Sequence, residues 1–169
     1  PIFSSPDSIE LINQDEEPVE LADLSGDIVI LSFLFTRCLD ICPALATRFL
    51  DLESRIPETI EGTTIRFVSL TVDPEYDRPA VLSAYRNQFD SVPERWQLWT
   101  GEPDRIDRTV AEFQQALERI SEDGDAPVIA HSERFILLDP RGRIRNFYPS
   151  DEVGLEALEA DLHAVASGS

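Results

Sequence analysis

The chain has 169 residues, with 33 acidic against 14 basic side chains and a formal charge of −19. That balance repels nucleic acid phosphates and anionic lipid headgroups, so neither is a partner. The longest apolar run is eight residues ending at Phe35, far below the roughly 20 a membrane-spanning helix requires, so the domain itself does not insert in a membrane.

Hydrophobic residues make up 42% of the sequence and are spread from end to end, which indicates a single folded domain over residues 1–169 rather than disorder. Every basic residue except the two histidines is arginine. Acid excess without lysine suits a surface working in high salt, where self-repulsion is screened. The chain lacks methionine and starts at Pro1, so it reads as a processed product whose leader or N-terminal anchor lies outside it.

In chain order, Ile9-Glu10-Leu11-Ile12 and Val19-Glu20-Leu21 flank a polar turn and predict a short hairpin. Ile28 to Phe35 reads as a fully buried strand. Pro43 followed by Leu45, Phe49 and Leu52 gives the first turn and apolar face of a helix over about 43–56. A second strand, Thr64 to Val72, closes at Asp73-Pro74, and Val81, Leu82, Tyr85 and Phe89 form the next helical stripe.

Trp96 to Trp99 is a short strand. Ile106, Val110, Phe113 and Leu117 then mark a helix by their spacings of four, three and four. Residues 118–130 are ambiguous and contain the turn Ser121 to Asp125. Arg134 to Leu138 and Arg143 to Tyr148 flank Asp139-Pro140-Arg141-Gly142, which has Asp, Pro and Gly at the first, second and fourth positions of a type I turn. Ser150 is the expected N-cap of the last helix, whose apolar face is Val153, Leu155, Leu158, Leu162 and Val165. Strands alternating with helices and ending in a hairpin predict an α/β domain with a mixed central sheet, for which a thioredoxin-like arrangement is the natural candidate.

The only two cysteines, Cys38 and Cys42, fall where the buried strand runs out and a helix begins. Helix N-termini favour thiolate over thiol, and the thiolate binds soft metals and attacks disulfides. Three intervening residues make one helical turn, so both side chains can face one point. The plainer reading is a pair of inert core cysteines or a structural disulfide.

Of the two histidines, His163 lies in the last turns of the final helix, where an imidazolium meets the helix's negative end. His131 stands at a loop-to-strand junction, where α/β domains place groups at the mouth of a site. Two thiolates and an imidazole form a soft set suited to Cu(I); an added oxygen ligand suits Cu(II) and, less well, Zn(II). Asp73 closes the strand neighbouring the cysteine strand and is the candidate outer-shell or fourth ligand. On the plainer reading Asp73 merely starts a turn before proline, and Asp77, ahead of Arg78-Pro79, is an ordinary helix N-cap.

These residues resemble the Sco/SenC family of copper-binding, membrane-tethered proteins of thioredoxin-like fold. Phe35 to Pro43 looks like its Phe-x-Thr-x-Cys-x-Asp-x-Cys-Pro segment, matching it from Thr36 onward with Phe35 one place nearer the threonine, and Thr71 to Pro79 looks like its Val-Asp-Pro-x-x-Asp-x-Pro segment. His131-Ser132 before Phe135 to Gly142 is similar to a third. The resemblance implies a metallochaperone that holds one copper through Cys38, Cys42 and His131 and helps assemble the binuclear copper centre of cytochrome c oxidase. Its implied partners are the copper-accepting subunit of that oxidase or another copper chaperone, met outside the cytoplasm at the membrane face.

Two departures stand out: Leu39 where many members have proline, and Ala130 where an aspartate often precedes the histidine. Neither removes a ligand. The competing reading is a thiol-disulfide oxidoreductase in which Cys38 and Cys42 are catalytic, one attacking a partner disulfide and the other resolving the mixed disulfide. A thiol peroxidase would need a Pro-x-x-x-Thr-x-x-Cys segment, which the chain lacks. The acidic surface suits a partner with a basic docking patch.

Overall fold

At the centre is β3 (Ile28–Leu34), buried along its whole length as its unbroken apolar sequence predicts. A computed structural model describes residues 9–37, 44–120 and 134–168 with their side chains, and the backbone of Cys42 and Pro43. On one side β3 pairs in parallel with β5 (Thr63–Thr71), which pairs in parallel with β6 (Trp96–Thr100). On the other side it pairs antiparallel with β7 (Arg134–Leu138), which turns back into β8 (Ile144–Pro149). The expected N-terminal hairpin is present as β1 (Leu11–Asn13) and β2 (Pro18–Val19). It docks on β6 rather than beside β3, so the sheet order is β2-β1-β6-β5-β3-β7-β8. This is the mixed sheet expected from the sequence. One more strand, β4 (Thr59–Ile60), pairs with the start of β5.

Alternation along β3 divides the core. Ile28, Ile30 and Leu34 join α1 (Cys42–Arg55), α2 (Pro79–Arg86) and α4 (Glu152–Ala166) in one cluster. Val29, Leu31 and Phe33 join α3 (Pro103–Ile120) and the short 3-10 turn Leu21–Leu24 in the other. In the first cluster Phe49 of α1 lies between the rings of Phe67 and Phe135, with centroids 5.4 and 5.1 Å away. Burying such a ring is worth about 2–3 kcal/mol, and it fixes the helix that begins at Cys42. Ser32, Ser69 and Trp96 are linked across the three parallel strands: the serine hydroxyls lie 2.8 Å apart and the indole N–H donates to Ser69 Oγ at 2.9 Å. Among the described residues no helix is long and apolar enough to cross a membrane.

Three local expectations need correction. The cap of α4 is Asp151, not Ser150: its carboxylate accepts from Gly154 N at 2.8 Å. Gly154 packs so closely on Pro149 that a Cβ there would lie 1.8 Å from the Pro149 carbonyl oxygen, which sets where the helix can start. With Gly154 and Leu155 on the buried side, Val153 points away and is 74% exposed rather than part of the apolar face. Finally, α2 ends at Arg86, so Phe89 packs from beyond the helix, its ring against Tyr85 and Trp96.

Candidate functional site

Parallel strands β3, β5 and β6 all finish at one end of the sheet, which is where α/β folds gather their functional groups. At that end the chain leaves β3 through Phe35, Thr36 and Arg37 and enters α1 at Cys42. The predicted placement of the cysteine segment between a central strand and a helix start is therefore found. Cys38, the side chain of Cys42, and His131 lie outside the described residues. Among the described residues no group of three or more His, Cys, Asp or Glu side chains is arranged to hold a metal ion.

What the structure does describe is how the approach to Cys38 is held. Asp77 is not the N-cap of α2: Arg78 takes that position, without a side-chain capping bond, and Pro79 opens the helix. The Asp77 carboxylate is instead wholly buried. Its Oδ2 accepts from the Thr36 backbone N–H at 3.1 Å and from the Thr71 hydroxyl at 2.7 Å, and its Oδ1 accepts from the Thr36 hydroxyl. Thr71 Oγ1 in turn accepts from Asp73 N at 2.9 Å. The sequence could not show this, because Thr36 is distant along the chain and an aspartate two residues before proline looks like a cap.

Asp73 grips the next residue. Arg37 donates to its carboxylate through Nε at 2.9 Å and Nη2 at 3.1 Å, a forked pair, and its guanidinium lies 4.5 Å over the ring of Tyr76. Arg37 and Tyr76 are both largely exposed, so this contact forms the outer rim. The turn is also tied on its far side, where Arg78 Nη1 donates to the carbonyls of Pro74 and Gly101 at 3.3 and 3.1 Å. Thus the segment from Thr71 to Pro79 bridges the ends of all three parallel strands. Arg37, Thr36 and Tyr76 border the candidate site and were not singled out by sequence reasoning; adjacency to Cys38 was the available signal for the first two. His163 stands in α4, one of the helices that cover the sheet face, and its carbonyl accepts from Ser167 N at the helix end.

A family model described as SCO1/SenC matches residues 6–167. The chain belongs to the SCO1/SenC family. Among its relatives is the SCO1 protein homolog of Bacillus subtilis, 28% identical over 137 residues, covering 80% of this chain and 69% of that one. Among solved Sco structures is BsSco, described as a member of the Sco family of cytochrome c oxidase assembly proteins with a disulfide switch. It is 25% identical, with a TM-score of 0.75 over 95% of this chain and 92% of that one. Bradyrhizobium japonicum ScoI, solved with copper bound, superposes with a TM-score of 0.66 at 23% identity over 94% and 97% of the two chains. The fold is accordingly thioredoxin-like.

Proposed function

We propose that this protein is a copper metallochaperone that carries one copper ion on Cys38, Cys42 and His131 for assembly of the binuclear copper centre of cytochrome c oxidase. The observation that carries the reading is the junction itself: a two-cysteine segment between the end of a buried parallel strand and the start of α1, in a Sco-family fold. Register supports including His131. Leu31 pairs with Ile136 and Val29 with Leu138, so β7 enters the sheet at the end where β3 leaves it. His131 is three residues before the first residue of β7, within about 11 Å of it by covalent reach.

The donor set fits the cargo. Two thiolates and an imidazole give a soft, low-coordinate site that prefers Cu(I), and a family member is known with copper bound. Helix dipole and orphan N–H groups at the start of α1 favour the thiolate form. Asp73, engaged by Arg37, serves as an outer-shell group rather than a direct ligand. Delivery proceeds by ligand exchange with a partner's cysteines on contact, the partner being the copper-accepting oxidase subunit or another chaperone. As the Sco resemblance implies, this takes place outside the cytoplasm at the membrane face.

A second reading, reduction of a partner disulfide by the Cys38/Cys42 pair, is favoured by the disulfide switch described for BsSco. An anaerobic competition titration of the reduced protein for Cu(I), run beside His131→Ala, separates the two. The chaperone reading predicts one tight equivalent for the wild type and much weaker binding for the variant. Equal, poor competition by both would leave a redox dithiol.

A further inference from the structure

Thr36 and Arg37, the two residues before Cys38, are each held by an aspartate from the turn after β5. Asp77 holds Thr36 from inside the protein, and Asp73 holds Arg37 from the rim. The two grips differ in kind. Arg37 is exposed and can be exchanged for water. Asp77 is fully buried, and each of its carboxylate oxygens accepts from the protein, so the Thr36 backbone N–H has a fixed partner.

We infer that Asp77 is a positioning residue for the dithiol: its buried carboxylate fixes the last turn of chain before Cys38 relative to β5, and so sets how the two sulfurs meet each other and their cargo. The inference deepens the function proposed above and rests on it only where copper is concerned. Asp77 touches neither cargo nor thiol; it acts through Thr36. Three donors converge on its carboxylate, and alanine would leave all three without it. The two hydroxyls can turn to other partners, since a hydroxyl also accepts, whereas the Thr36 backbone N–H can only donate.

The test compares three variants of the whole chain: Asp77→Ala, Thr36→Val, and Asp139→Asn as a control that loses a buried carboxylate at the opposite end of the sheet. Each is measured for urea stability, for Cu(I) affinity by competition, and for the thiol-disulfide equilibrium constant against glutathione. Metal sites whose supporting hydrogen bonds are removed lose about 10- to 100-fold in affinity, and that loss is expected for Asp77→Ala. The dithiol equilibrium should shift along with it. Thr36→Val, which keeps the backbone bond and loses the hydroxyl bond, should move both readouts less and in the same direction, while Asp139→Asn should move neither.

A folded Asp77→Ala protein with the wild-type dithiol equilibrium would overturn the inference, as would an equal shift in Asp139→Asn. Should the wild type take up no Cu(I), the chaperone reading falls, and the dithiol equilibrium alone decides the role of Asp77. Should Asp77→Ala not fold, Thr36→Val decides it.

Discussion

Two Asp-Pro turns stand at opposite ends of β3, and they spend their carboxylates in opposite ways. Asp139-Pro140 lies where β3 begins, its Pro140 carbonyl accepting from Gly26 N at 2.9 Å. Asp139 folds onto its own loop: Oδ1 accepts from Arg141 N and Arg143 N at 2.9 and 3.0 Å, and Oδ2 accepts from Arg143 Nε at 2.9 Å. The turn that starts at Asp73-Pro74 lies where β3 ends, and its two aspartates reach across to another strand's exit. One turn secures itself. The other spends its side chains on the segment that carries the cysteines.

Replacing Asp77 with alanine should therefore have the largest effect on stability. It strips the half-buried Thr36 N–H of its acceptor and leaves two hydroxyls to find others, a loss of about 3 kcal/mol measured from urea midpoints. A loss no greater than that of a surface substitution would dissolve the contrast between the two turns.

Asp139→Asn should cost less, about 2 kcal/mol at neutral pH, because its donors lie within four residues and can turn to water. Burial by itself would raise the Asp139 pKa, but the Arg143 N–H, the Arg143 side chain and the Arg141 N–H outweigh it and hold the carboxyl below its ordinary value. With the folded pKa depressed, the contribution is present in full above the unfolded value of about 3.9. It shrinks as the unfolded chain takes up its proton and is gone once the pH has dropped through the folded pKa. The stability gap between wild type and Asp139→Asn should thus close below about pH 3.9; a gap that persists at pH 2 would show that the turn depends on shape rather than charge.

The same contrast explains what could be read from the sequence. The turn at Asp139 was legible because all its partners are local and its Asp, Pro and Gly sit at standard offsets. So was β3, because a strand buried on both faces is apolar without interruption. The cysteine pair was legible by position, between that strand and the apolar face of α1. The roles of Asp77 and Asp73 were not, since their partners lie 41 and 36 residues away and depend on the parallel pairing of β3 with β5. Strand β4 escaped because two residues show no period; only Gly62, with φ of 81°, marks the tight turn into β5. Asp151 displaced Ser150 as the cap of α4 because close packing of Gly154 on Pro149, a tertiary fact, fixed the helix start.

Asp73→Asn should have the smallest effect on stability, about 0.5 kcal/mol, although it removes a forked ion pair beside the cysteine segment. Arg37 is 57% exposed, so water replaces most of what the carboxylate supplies. Part of the grip also survives the change, because the guanidinium still lies over Tyr76. The residual effect should fade in molar salt, where screening acts within about 3 Å, whereas the Asp77 effect should not, since that carboxylate is sealed from ions. Urea midpoints of Asp73→Asn and Asp77→Ala at low and molar salt test both statements together. If the Asp73 loss equals the Asp77 loss and resists salt, the rim rather than the buried carboxylate holds the segment, and the positioning role belongs to Arg37.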